Sequence, residues 1–254
     1  MRTSLLGLAC SLALAFGFSY VVDAQRGPST SHGHPHDISG VYSRTIYGAD
    51  NAKGINPRDP KLNPPPSPAP LRPGAAAIIA KRRAELGEDE VTCNPRGPFE
   101  AIVQTPGAAI ELVQIPGRVF LFIDLAHTYR TIWMTDKHDM DHLAPAYMGH
   151  SIGRWQGDTL VVDTVNFNGQ FDIMNGFIPS DKLHTVERFR RNGQNLEYNL
   201  IIEDPELLTA PWSMTRTYGL RPDWKNDGEV YCVASNQKEF LDKVDLPSKE
   251  RGRE

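Results

Sequence analysis

Apolar and polar residues alternate through residues 147–155, Gln156-Gly157-Asp158 follows as a turn signal, and residues 159–164 return with the same period. Two β-rich runs around a Gly-Asp turn predict a hairpin. If Gly157-Asp158 is the turn, Trp155 opposes Leu160 and Arg154 opposes Val161. One face then carries Ser151, Gly153, Trp155, Leu160, Val162 and Thr164, the better core face. The other gathers His150, Ile152, Arg154, Val161, Asp163 and Val165, and is either outer surface with an ordinary Arg–Asp contact, the favoured reading, or the lining of a cavity.

Similar signals recur along the chain. Residues 37–44 read as an opening strand. Residues 100–105, 109–115 and 118–125 are separated by Pro-Gly pairs, and 127–134 follows. Residues 184–191 and 194–202 flank Asn192-Gly193, and 212–220 and 229–234 complete the set. About ten strands joined by short turns predict a mainly β domain: an antiparallel barrel or strongly curved sandwich, calycin-like, with no internal repeat. One peripheral helix is expected over 75–86, begun by Ala75-Ala76-Ala77 and ended by Gly87, with a narrow stripe of Ile78, Ile79 and Leu86. Residues 56–73 are dominated by proline, which donates no backbone hydrogen bond, so an extended crossing outside any central sheet is expected there. The predicted organisation is a signal peptide over 1–24, a mobile linker over 25–36, a single β-domain over 37–241 and a charged tail over 242–254.

The Asn192-Gly193 turn suggests a register in which Phe189 opposes Leu196, Glu187 opposes Tyr198 and Arg188 meets Glu197. Period-2 alternation then places Thr185, Glu187, Phe189, Leu196, Tyr198 and Leu200 on one inward face. Glu187 stands out, because an inward carboxylate is costly unless paired or hydrogen-bonded. It is either a cavity carboxylate used as acid, base or ligand anchor, or a structural group bonded to an Arg or Tyr. In residues 127–142, His127, Tyr129, Thr131 and Trp133 share a face opposite Arg130. Tyr129 and Trp133 are candidates for an aromatic ligand wall. His138 and His142 would converge if their loop were helical, but no third ligand is specified, so neither a metal nor another cofactor is expected. His32, His34 and His36 alternate near the expected mature terminus, a tract able to collect a metal ion only weakly.

Charge and cysteine usage narrow the setting. A formal net charge of -4 and the absence of a basic patch argue against a nucleic-acid partner. Arg2, the apolar run from Leu5 to Val22 and the small residue Ala24 read as a secretory signal cleaved near Ala24, so a periplasmic or extracellular location without stable membrane insertion is expected. Cleavage removes Cys10 and leaves Cys93 and Cys232, expected to form a disulfide in an oxidising compartment. No Gly-x-Ser-x-Gly, phosphate loop, His-Glu-x-x-His or Cys-x-x-Cys occurs, which argues against the chemistries those motifs serve.

Asp37-Ile38-Ser39-Gly40-Val41-Tyr42 resembles the opening Asp-x-x-Gly-x-Trp strand of lipocalin-like barrels, with Tyr42 in place of Trp. Residues 148–164, with Thr185-Val186-Glu187-Arg188-Phe189 and Asp204-Pro205 downstream, resemble a group of secreted bacterial proteins. That resemblance implies export and specifies no reaction. In that group a Gly-His-Pro-His-like stretch often precedes the Thr-Glu-Arg-Phe strand; Gly176-Phe177-Ile178-Pro179-Ser180 stands here instead, so any chemistry of those histidines would be altered or lost.

Three functions follow as expectations. The first is a secreted barrel that binds a small, mostly apolar ligand inside, with Tyr129, Trp133, Trp155, Phe189 and Tyr198 as wall and Glu187 as polar anchor. The second is a cofactor-free isomerase or lyase with Glu187 or His127 as general acid or base and Arg130 stabilising developing negative charge. The third is an envelope interaction module using the proline-rich segment.

Overall fold

Alternating side chains and glycine-bearing turns produce nine strands in the computed structural model, which describes residues 36–44, 59–86, 97–99, 102–103, 109–123 and 128–224. They are β1 (Gly40–Ser43), β2 (Ala109–Ile115), β3 (Arg118–Ile123), β4 (Thr128–Trp133), β5 (His150–Gln156), β6 (Thr159–Val165), β7 (His184–Asn192), β8 (Asn195–Glu203) and β9 (Trp212–Leu220). Each strand pairs with the next in sequence, and β9 pairs back onto β1 to close a barrel. The expected signal peptide, Cys93, Cys232, His127, the strand over 229–234 and the charged tail lie outside the described residues.

Two features depart from the expected all-antiparallel barrel. β4 and β5 pair in parallel, through Ile132↔Ser151 and Trp133↔Ile152, because the long segment 134–149 carries the chain back before β5 begins. Of the strand expected over 100–105 only Ile102 and Val103 are described, and they are helical rather than extended.

The β5–β6 hairpin has the expected register, with Trp155 opposite Leu160 and Arg154 opposite Val161. Gly157 takes the left-handed conformation (φ 62°) that the turn requires. The β7–β8 register is displaced by two residues, because Gly193-Gln194 rather than Asn192-Gly193 forms the turn: Asn192 pairs with Asn195, Phe189 with Tyr198 and Glu187 with Leu200. Arg188 therefore faces Asn199, and Glu197 is engaged by Arg190 instead. A displacement of two leaves each side chain on its original face, so the expected inward set Thr185, Glu187, Phe189, Leu196, Tyr198 and Leu200 is buried.

The helix α1 (Ala75–Leu86) forms as expected, and of its residues only Ala75 is buried, so it lies on the surface. The proline-rich segment runs beside β9 without forming a ladder. Thr217 Oγ1 donates to the carbonyl of Leu62 (3.1 Å), Trp212 Nε1 to that of Ser67 (2.8 Å) and the Thr209 amide to that of Pro70 (2.8 Å). Among the described residues β1 pairs with β9 at Tyr42↔Leu220 and Ser43↔Gly219, and the strap borders β9 further along. Prolines fit a position that supplies acceptors and few donors.

Candidate functional site: an outer histidine chain and an inner arginine layer

Inside the barrel, Arg130 on β4 and Glu187 on β7 form a bidentate pair. Arg130 Nη1 donates to Glu187 Oε2 at 2.5 Å and Nη2 to Oε1 at 2.9 Å. The Tyr198 hydroxyl donates to the same Oε1 at 2.9 Å. The two charged side chains are 1% and 0% exposed, so each is the other's main compensation for lost water. Burial opposes the Arg130 charge, but the charge and hydrogen bonds of Glu187 outweigh it and raise its pKa. Burial, reinforced by Glu187, pushes the Tyr198 phenol well above its ordinary value and keeps it a donor.

The same inner layer continues along β9. Tyr198 pairs directly with Arg216, whose guanidinium donates to the carbonyls of Val103 (2.9 Å), Pro64 (3.0 Å) and Thr215 (2.7 Å). The Tyr218 hydroxyl donates to the Ile102 carbonyl. Burial raises its pKa to about 12. Arg44, just past β1, lies over the Tyr218 ring with its Cζ 5.8 Å from the centroid. Burial and, after it, the charge of Arg44 lower the pKa of Arg216.

On the outer face, five side chains form one unbroken chain. His150 Nδ1 lies 2.8 Å from His138 Nδ1, and His138 Nε2 lies 2.8 Å from Asp163 Oδ1. His184 Nε2 lies 2.9 Å from Asp163 Oδ2, and His184 Nδ1 lies 2.8 Å from Glu203 Oε2. The sheet register builds most of it: His150 sits opposite Val165, His184 opposite Glu203, and Asp163 one pleat further along β6. His138 arrives from the 134–149 segment and bridges β5 to β6.

The acceptors dictate the tautomers. Asp163 is half-buried and ionised; burial opposes its charge, but hydrogen bonds from His138 and His184 prevail and lower its pKa. It therefore accepts an Nε2–H from each histidine. His184 also faces Glu203, so both its nitrogens donate; burial alone would lower its pKa, and the two carboxylates raise it instead. Its place between two carboxylates favours the charged imidazolium. His138 spends its Nε2–H on Asp163, so its Nδ1 accepts from His150 Nδ1–H when His138 is neutral. Burial and then His138 lower the pKa of His150, which favours the neutral ring; with its Nδ1–H toward His138, the lone pair lies on Nε2. The arrangement can take a proton at His150 Nε2 and spread the resulting charge toward Asp163.

The remaining expected site residues are dispersed. Phe189 and Tyr198 are inside, their rings 4.9 Å apart. Trp155 is half-buried and packs on His36 with ring centroids 5.0 Å apart. Tyr129 and Trp133 are 60% and 40% exposed on the outer side, so they share no wall with Phe189 and Tyr198. They sit on the face of β4 opposite Arg130, which is the inward one. His142 takes a left-handed turn (φ 66°) and is exposed, so it does not converge with His138. Among the described residues no group of three or more His, Cys, Asp or Glu side chains could hold a metal ion. A cleft of about 450 Å³ opens away from both sites, between α1 and the segment 168–181, lined by Arg82, Glu85, Asn168, Gln170 and Asp181 among others.

Sequence reasoning placed His150 and Asp163 in one outer patch and offered His138 as a metal ligand, but it missed His184 and Glu203. The correct β7–β8 register was the signal that would have found them, since it alone sets His184 against Glu203.

No family model matches the chain, and no curated protein matches it. Among solved structures it is similar to a secretory abundant heat soluble (SAHS) protein from Ramazzottius varieornatus, at 12% sequence identity, covering 61% of this chain and 90% of that one, with a TM-score of 0.24. A likeness of that size adds nothing to the reading of either site.

Proposed function

We propose that this protein is an exported β-barrel whose chemistry lies on its outer face, where His150 is a general base backed by His138 and Asp163. The observation that carries this reading is the continuous chain from His150 to Glu203, with steps of 2.8–2.9 Å. His150 takes the proton at Nε2, its Nδ1–H moves toward His138, and Asp163 stabilises the cation that forms. His184, fixed between Asp163 and Glu203, holds the Asp163 carboxylate in place. That order of base, orienting group and carboxylate fits a proton abstraction, the step of an isomerase or lyase.

The test uses the mature full-length chain and 5-nitrobenzisoxazole, a probe whose ring opens when a base removes its carbon-bound proton. We expect faster elimination per histidine than free imidazole at the same pH, with the excess lost in His150→Gln and reduced in Asp163→Asn. In parallel, imidazole NMR titration should give His150 a pKa below, and His184 one above, that of an unstructured histidine. A rate equal to imidazole, with both histidines titrating together, would sink the proposal. Intact mass of the exported chain would check cleavage near Ala24 and the Cys93–Cys232 disulfide, which is absent if two free thiols are found.

A second reading, a small and mostly apolar ligand held inside the barrel, is favoured by a different observation. The buried atoms Arg130 Nε, Thr128 Oγ1 and Thr185 Oγ1 have no hydrogen-bond partner among the described residues. Orphaned polar atoms at this depth are rare in native proteins and suit a guest or ordered water. Binding of decanol would support this reading, and failure of both decanol and decanoate to bind would end it.

A further inference from the structure

The inner layer is short of negative charge. Arg44, Arg130 and Arg216 are all buried there, against Glu187 as the one carboxylate among the described residues of that layer; Asp204, the other buried acid, is bonded to Ser180 instead. Glu187 is committed to Arg130 and Tyr198. Arg216 is held by three carbonyls, which are dipoles and not counter-charges. Arg44 is 5% exposed, and its buried Nε and Nη2 have no hydrogen-bond partner among the described residues.

Those two atoms are not an arbitrary pair. Nε–H and the adjacent Nη2–H form the side edge of a guanidinium, two parallel donors at the spacing of two oxygens on one carbon or phosphorus. Continuing the β1–β9 register beyond Ser43↔Gly219 sets Arg44 opposite Tyr218, on the inward side with Tyr42. A second guanidinium, Arg216, stands two residues away on β9. A buried, unpaired guanidinium is costly, and an arriving oxyanion would relieve that cost.

We propose that Arg44, Arg216 and Tyr218 form an internal site for a carboxylate, held bidentately by the Nε–Nη2 edge of Arg44 with Arg216 supplying the second positive charge. Tyr218 stacks beneath Arg44 and fixes its plane. The ligand class is a small carboxylic acid whose apolar part enters the barrel. This rests on the interior reading above and is independent of the outer histidine chain.

The test is calorimetric titration of the mature chain with acetate, decanoate, decanol and inorganic phosphate, on wild type, Arg44→Met and Arg44→Lys. We expect saturable binding of decanoate, at least 10-fold weaker in Arg44→Met. Arg44→Lys keeps a charge but not the two-pronged edge, so it should also lose at least 10-fold, and it guards against a folding defect in the neutral variant. Circular dichroism establishes that each variant is folded. Decanol binding without decanoate, or phosphate binding without any carboxylate, overturns the assignment; decanol binding leaves the interior reading standing. Decanoate binding unchanged by either substitution also overturns it.

Discussion

Replacing Glu187 with Gln tests how the barrel interior is held. The substitution keeps the shape of the side chain and removes its charge, leaving the Arg130 guanidinium, 1% exposed, facing a neutral amide. Breaking one partner of a buried ion pair costs about 3–5 kcal/mol, because the survivor stays buried without compensation. For a domain of this size each kcal/mol shifts the midpoint by about 2–4 °C, so Glu187→Gln should lower Tm by roughly 6–20 °C. Tyr198→Phe removes one hydrogen bond to a charged acceptor and should cost less, about 1.5–3 kcal/mol. The double variant Arg130→Met/Glu187→Leu removes both charges and should return to within about 1 kcal/mol of wild type or exceed it. Urea unfolding at neutral pH of wild type, the two single variants Glu187→Gln and Arg130→Met, and the double variant gives the coupling directly. A loss below about 1 kcal/mol in Glu187→Gln, or a double variant as unstable as the two singles combined, would refute an ion pair whose main energetic feature is mutual compensation.

Four further outcomes are expected. The folded pKa of His184 lies above its unfolded value, so its stabilising contribution is complete below about pH 6.5 and is lost as pH rises through the folded pKa; the slope of Tm against pH on the alkaline side should flatten in His184→Gln. The depressed pKa of Asp163 acts in the opposite sense, contributing above its unfolded pKa and failing as pH falls through the folded one, so Asp163→Asn should remove part of the acid-side loss of stability. Asp204 accepts from the Ser180 amide (2.7 Å) and hydroxyl (2.8 Å) and from the amides of Glu206 (3.1 Å) and Leu207 (3.2 Å), so Asp204→Ala should cost several kcal/mol in urea unfolding, with Asp204→Asn recovering part. A methyl group at Gly153 would lie 2.7 Å from Ile132 Cγ2 and 3.1 Å from Met134 Sδ, so Gly153→Ala should lose about 1–3 kcal/mol by overpacking; a neutral result would show that β4 and β5 yield easily at their parallel pairing.

Local pattern carried the architecture well. Alternation in residues 150–165 gave both the strands and the face that is buried, and the run of alanines with a following glycine gave α1. Faces survived even where the turn was misplaced, because the β7–β8 offset is even and period 2 cannot detect it. Partners across that hairpin did not survive, and with them went the His184–Glu203 contact. The parallel β4–β5 contact was not legible for a related reason: strand polarity across a long connection is decided by where the connection returns, and no local pattern records that. Glu187 was legible as an inward charge that needs an Arg or Tyr partner and Arg130 as a candidate cation for the same site, but that the two pair with each other was not. Their meeting depends on closure of the barrel, which brings β4 across from β7.

The proline strap beside β9 bears on how molecules of this protein coexist at high concentration. Among the described residues two pairs join the first and last strands, and a closure that short leaves an edge along which another chain's strand could dock. Residues 62–70 occupy that border with carbonyls, an asparagine side chain and five prolines, and the amides of Leu62 and Asn63 are already given to Asp59, so few amides are left from which to extend the sheet. A border built of proline is a poor template for sheet extension, so the same composition that kept this segment out of the barrel disfavours strand addition at this edge.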